Sequence, residues 1–130
     1  MANLVQVESN AILEASSGKT AYTNPTSPVK VRLMTANGSA TAAGTEVTNS
    51  GGSTYASQSI TFAAASAGSI ANSGALNFAN MPAATIVGVE EWDSAGTPIR
   101  RWFGALTANK TTNLGDTFTI NASSYSKTLS

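Results

Sequence analysis

Two stretches, Ile86-Val87-Gly88-Val89-Glu90-Glu91-Trp92 and Ile99-Arg100-Arg101-Trp102-Phe103-Gly104-Ala105-Leu106-Thr107, decide the reading of this chain. Both are rich in β-branched and aromatic residues. Asp93-Ser94-Ala95-Gly96-Thr97-Pro98 between them supplies turn residues, so the pair reads as a β-hairpin. Pairing Trp92 with Ile99 sets Glu91 against Arg100 and Glu90 against Arg101, and opposite charges across a ladder favour the register that makes them. The same register puts Val89 opposite Trp102 on one face and Gly88 beside Phe103 on the other. Large apolar groups then stand on both faces, which predicts burial on both sides. It also predicts that Glu90→Arg restores part of what Arg101→Glu loses.

Working outward, further alternating stretches follow. Val29 to Thr35 places Val29, Val31 and Leu33 on one face and Lys30, Arg32 and Met34 on the other. Tyr55 to Ala63, Ala75 to Ala79, Thr117 to Ile120 and Tyr125 to Leu129 read as further short strands, with Leu114-Gly115-Asp116 as a turn. Upstream, residues 3–17 read as a helix capped by Asn3 and ended by Gly18, with a narrow apolar face of Leu4, Ala11, Ile12 and Ala15. Residues 36–53 carry Asn37-Gly38 and Gly51-Gly52 and read as a long polar loop. The expected architecture is mainly β. It is one domain over 1–130, with an N-terminal helix at 3–17 and a β-rich body at 29–129 folded as a β-sandwich or rolled antiparallel sheet of short strands.

Composition narrows the function. Of the 130 residues, 11% are charged, against roughly 25% in an ordinary soluble domain. The net charge is zero. A surface of hydroxyls, amides and methyls carries little solvation or self-repulsion and suits a subunit that lives inside an assembly. The chain has no Cys and no His, so it lacks a disulfide framework, a thiol nucleophile and a Ser-His-Asp triad. Its seven basic residues are scattered rather than striped, which argues against nucleic-acid binding. No targeting segment is read at Met1 to Asn10, and no apolar run is long enough to span a membrane.

Candidate chemistry is sparse. Glu90-Glu91 is the one adjacent carboxylate pair. Neighbours on a strand point to opposite faces, so the two do not share a cleft as a glycoside hydrolase requires. Gly18-Lys19-Thr20 lacks the upstream glycine and strand of a phosphate loop, and no calcium-loop spacing occurs. No catalytic, cofactor-binding or metal-ligating residue is assigned, no cofactor is expected, and the chain is read as non-enzymatic. Trp92 and Trp102 with Arg100 and Arg101 have the composition of an interface hot spot. Leu4 and Ile12 join them as interface candidates from the helix. Sugar stacking on the tryptophans is the alternative use of the rings.

Several stretches taken in order carry a resemblance. They are Val31-Arg32-Leu33-Met34-Thr35-Ala36, Gly44-Thr45-Glu46-Val47, and Tyr55-Ala56-Ser57-Gln58-Ser59-Ile60-Thr61-Phe62. Trp102-Phe103-Gly104-Ala105-Leu106 and Asn113-Leu114-Gly115-Asp116-Thr117-Phe118 follow. Their order and spacing resemble a family of small tailed-phage virion proteins, labelled tail fibre, minor structural or head decoration proteins. The resemblance implies a β-rich virion subunit without catalytic residues, assembled in the host bacterial cytoplasm. The leading expectation is a capsid decoration subunit whose partners are the major capsid protein and other copies of itself. A tail fibre or minor tail protein, in contact with tail proteins, is the second expectation, and a carbohydrate-binding adhesin module the third.

Overall fold

The computed structural model describes residues 2–129, so the two outermost positions of the expected 1–130 domain lie outside the described residues. In chain order the elements are β1 (Asn3–Leu4), α1 (Gln6–Ser16), β2 (Lys30–Ala36), β3 (Thr45–Glu46), β4 (Gln58–Ser59) and β5 (Ser69–Ala71). They continue with β6 (Leu76–Phe78), β7 (Ala84–Trp92), β8 (Arg100–Thr112), β9 (Phe118–Ile120) and β10 (Ser126–Thr128). One large antiparallel sheet runs in the order β1-β8-β7-β2-β3, with β4 also on β2. Two small antiparallel sheets pair β10 with β5 and β6 with β9. The expectation of mainly β structure with antiparallel sheets and one N-terminal helix holds.

The helix starts later than its periodicity suggests. Asn3 and Leu4 pair with Phe103 and Trp102 as an edge strand, so Asn3 is no cap and Leu4 is no part of the helical face. The N-cap is Val5, which makes no side-chain cap bond. Instead the Gln6 N–H donates to the Ala40 carbonyl at 2.9 Å, so a loop caps the helix through its backbone. At the other end Gly18 adopts φ +73°. Gly18 N–H donates to Ala15 and Lys19 N–H to Glu14, the Schellman closure that a left-handed glycine allows.

β2 shows how short pieces complete a sheet. One of its edges pairs with β7, setting Leu33 opposite Val89 and Val31 opposite Glu91. The other edge is shared by β4 at Lys30 and Val31 and by β3 at Met34 and Ala36. In the gap between them the Leu33 N–H donates to the Tyr55 hydroxyl at 2.9 Å, and the Leu33 carbonyl accepts from Val47 N–H at 2.9 Å. Tyr55 therefore completes the ladder with a side chain. Only Gln58–Ser59 of the strand expected from Tyr55 to Ala63 forms regular structure, and the loop expected over 36–53 contains β3.

The core lies where the small sheets meet the large one. Val31, Leu33, Ile86 and Val89 belong to one buried cluster with Leu76, Phe78, Phe118 and Ile120. Phe78 meets the Phe118 ring edge-on and the Tyr55 ring in a stack, each at 6.1 Å between centroids. Such ring pairs add about 0.5–1.5 kcal/mol each beyond their buried area. Burial of the hairpin on both sides, expected from its sequence, is also seen. The second face is covered by the turn of residues 37–44, and Gly44 N–H reaches Glu90 Oε1 at 2.8 Å.

That close cover leaves Gly88 no room for a side chain. A Cβ on Gly88 would stand 2.6 Å from the Gly104 carbonyl oxygen and overlap the Asn37 side chain. Gly88→Ala should therefore cost about 1–3 kcal/mol by overpacking, read from the urea midpoint. Gly96→Ala, which meets nothing within 4 Å, should leave the midpoint almost unchanged.

Candidate interaction surface

The hairpin register differs from the sequence expectation. Glu90 stands opposite Phe103 and Glu91 opposite Trp102, with Val89 opposite Gly104 and Gly88 opposite Ala105. A shift of two residues keeps the side chains of Gly88 to Glu91 and of Trp102 to Ala105 on their expected faces, because the strand period is two. Between Glu91 and Trp92 the ladder slips, so that Trp92 pairs with Arg100. Arg101 is left without a partner across the ladder, the signature of a β-bulge. The bulge hands Arg100 the position on the Glu90 face that strict alternation would give Arg101.

The ion pairs change accordingly, and both charge pairs expected from the sequence are replaced. Glu90 pairs with Arg100, not Arg101, at 3.1 Å. The same carboxylate accepts Trp92 Nε1–H at 3.1 Å. Arg100 also donates to the Ser39 carbonyl at 2.7 Å, so the 37–44 turn is pinned over this face. Arg32 lies 4.1 Å over the Trp92 ring. Glu91, on the core face, pairs with Lys127 at 2.9 Å rather than with Arg100. It also accepts the Tyr125 hydroxyl at 2.9 Å. Lys127 Nζ sits 4.1 Å from the Phe62 ring centre and 4.9 Å from that of Trp102, which places a cation in an aromatic cage of its own chain.

The bulged Arg101 becomes an internal staple. It donates to Glu8 of α1 at 2.7 Å and to Asp93 of the hairpin turn at 2.8 Å. Tyr22 donates in turn to Glu8. Asp93 Oδ1 accepts the Ile99 N–H at 2.8 Å and the Ala95 N–H at 3.3 Å, which closes the turn. Burial alone would raise the Asp93 carboxyl, but the Ile99 backbone N–H, Arg101 and the Ala95 N–H outweigh it and hold it below its ordinary value. Burial and the hydrogen bond to Glu8 push the Tyr22 phenol up to about 12. Burial first, then Glu91, raises Tyr125 well above its ordinary value.

These contacts place the interface candidates within the chain. Arg101 is buried and paired through both terminal nitrogens within the chain, its Nε being left without a partner, and Arg100 is largely covered. Trp102 packs on the core and Trp92 is partly covered. Leu4 and Ile12 are half-buried. Several large apolar side chains face outward: Val7, Leu13, Ile99, Leu114 and Leu129 are each exposed. Ile12, Ala15, Tyr22 and Leu129 line a shallow groove beside the helix. Among the described residues every charged side chain except Lys30, Lys110 and Asp116 belongs to an in-chain ion pair. No cluster of three metal-ligating residues occurs among the described residues, and no helix there is long and apolar enough to cross a membrane.

An antiparallel β scaffold whose charges are mostly paired within the chain, and whose exposed groups are mostly uncharged, has the make-up of a structural protein. The family model described as Podophage GP4 fiber I protein gp80 matches residues 3–128, and the chain belongs to that family. It is thus a phage structural protein and a virion component. No curated protein matches it.

Two measurements check the electrostatics. Arg101→Glu should destabilise the fold by about 3–5 kcal/mol, the range for breaking a buried pair. Adding Glu90→Arg should restore none of it, since Glu90 contacts Arg100; a half-recovered urea midpoint would contradict the observed register. The second is the pH profile of stability. The depressed Asp93 carboxyl stabilises the fold above its ordinary value, near 4, and that contribution is lost as pH falls through the folded value. The raised Tyr22 phenol stabilises below its ordinary 10.0 and is lost as pH rises through about 12. Asp93→Asn should make the acid limb shallower, and Tyr22→Phe should make the alkaline limb shallower by its own share while the raised Tyr55 and Tyr125 phenols keep theirs, each variant leaving the other limb in place.

Proposed function

We propose that this chain is a non-catalytic subunit of a podophage fibre that works by packing against neighbouring virion proteins. The observation that carries the reading is the internal use of charge. In-chain pairing of the hairpin carboxylates and arginines leaves an outer surface of Ser, Thr, Asn, Ala and isolated apolar side chains. Such a surface loses little solvation on contact, and repeated copies along a particle make individually weak contacts persistent. The family's description supports a fibre.

Capsid decoration, the leading expectation from the sequence, draws on the same neutral surface and differs in location. The family's description favours the fibre over the head. The glycan-binding reading draws little support from the tryptophans. Trp92 spends its N–H on Glu90 and lies under Arg32, and Trp102 faces Lys127 and the core.

Antibody against the purified protein, gold-labelled on intact phage and viewed by negative stain, tests the location. Gold on the tail fibres is the expected outcome. A regular gold pattern over the head would restore the decoration reading and remove the fibre reading. Absence of gold from particles, with the protein also absent from their denatured mass-spectrometric profile, would remove both.

A further inference from the structure

We infer that Asn37-Gly38 is a site of spontaneous covalent modification, at which the Asn37 side-chain amide is lost and the backbone is rerouted through an isoaspartyl linkage. The inference stands apart from the fibre reading. It concerns the turn of residues 37–44 that covers the Glu90 face.

Both reacting groups are open. Asn37 is exposed and Gly38 is half-buried. Among the described residues neither the Asn37 side-chain amide nor the Gly38 N–H donates a hydrogen bond. A glycine in second place puts no side chain in the path of attack by its own nitrogen. The fold requires that glycine. A Cβ on Gly38 would overlap Glu90 Oε1 and stand 2.7 Å from the Ala42 carbonyl oxygen, so the pair is built into the turn. No other Asn-Gly occurs in the sequence. Asn49 and Asn72, each followed by Ser, give the contrast. The Asn49 amide donates to the Tyr55 carbonyl and accepts the Tyr55 N–H. The Asn72 amide donates to Gly74 and Asn121 and accepts the Tyr125 N–H. Those two side chains are held by the backbone, and that of Asn37 is not.

The reaction needs only water. The Gly38 nitrogen gives its proton to solvent hydroxide and bonds to Asn37 Cγ. The Cγ–Nδ2 bond breaks, and Nδ2 takes a proton from water and leaves as ammonia. The product is a cyclic imide that joins the two residues. Water then opens it. Cleavage of the new Cγ–N bond restores the ordinary backbone with a carboxylate on the side chain. Cleavage at the main-chain carbonyl of residue 37 leaves the chain running through Cγ and releases that carbonyl as the carboxylate. Either route replaces a neutral amide by a negative charge, and neither involves oxidation or reduction.

The isoaspartyl route adds a methylene to the main chain of a turn that has no slack. A Cβ on Gly44 would overlap the Ala36 carbonyl oxygen and stand 2.7 Å from the Gly38 nitrogen. So tight a site does not absorb extra atoms without moving. The contacts that would move hold the turn. Ser39 N–H donates to the Ala42 carbonyl at 2.8 Å, Arg100 reaches the Ser39 carbonyl at 2.7 Å, and Gly44 N–H reaches Glu90 at 2.8 Å. The Ala40 carbonyl accepts Gln6 N–H at the start of α1. A reaction set by time and pH thus loosens the cover of the Glu90 face and the helix cap together. The Glu91 face, held by Lys127 and Tyr125, keeps its contacts.

Purified protein aged in mildly alkaline and in mildly acidic buffer, then mapped by peptide mass spectrometry, tests the site. Isoaspartate is scored by labelling with an isoaspartyl methyltransferase. Asn37 should convert to the acid, faster in the alkaline buffer, while Asn49 and Asn72 keep their amides. Hydrogen exchange on the isoaspartyl form should speed up at residues 39–44 and at the first turn of α1, with residues 125–128 unchanged. Asn37→Asp, which carries the charge on an ordinary backbone, should keep residues 39–44 protected. An Asn37 that keeps its amide in the folded protein and loses it in urea would overturn the inference. So would conversion of Asn49 or Asn72 at the same rate. An isoaspartyl form with parent-like exchange at residues 39–44, or equal loosening in Asn37→Asp, would overturn the effect assigned to the rerouted backbone.

Discussion

Glu90 and Glu91 are adjacent on a central strand, so they point to opposite faces of the sheet, and both are buried. Burying a carboxylate is costly unless cations and hydrogen-bond donors meet it. The sheet therefore cannot leave either face bare. On the Glu90 face the requirement is met by Arg100, Trp92 Nε1 and the Gly44 N–H. That brings the 37–44 turn down over the sheet. On the Glu91 face it is met by Lys127 and Tyr125, which draws the C-terminal strand β10 across the core. Two neighbouring side chains thus fix where two remote segments must lie.

The Arg101 bulge extends the same logic to the helix. A slip of one residue turns an arginine off the ladder and toward Glu8 and Asp93. The helix is short, starts without a side-chain cap and exposes Val7 and Leu13. Helical propensity does little to hold so short an element on its own. Its attachment comes from the buried pair and from the Ala40 carbonyl at its first turn. The helix therefore depends on the hairpin and on the turn that the hairpin holds. Spending charge in these internal contacts also produces the neutral outer surface on which the assembly reading rests.

Much of this was legible in the sequence, for reasons that also mark where legibility ends. The hairpin, β2, β6 and β9 follow from alternation, which reports burial of one face directly. The charged partners do not. A bulge leaves no periodic signal, so the swap of Arg100 for Arg101 opposite Glu90 could not be read from spacing. Lys127 and Tyr125 lie far along the chain from Glu91. The one available hint was scarcity, since with so few basic residues each buried carboxylate must claim one of them. Strands of two residues, such as β3 and β4, are set by backbone pairing and by the Tyr55 hydroxyl at Leu33, not by any pattern of their own. Asn3 looked like a helix cap because its residue type fits, but strand pairing to Phe103 took it first.

The central claim is that each of the two carboxylates organises its own face. Residue-resolved hydrogen exchange on Glu90→Gln and Glu91→Gln tests it most directly. The account predicts that Glu90→Gln speeds exchange at residues 39–44 while residues 125–128 stay protected, and that Glu91→Gln does the reverse. If either substitution loosened both segments equally, or loosened the segment on the opposite face, the account would be contradicted.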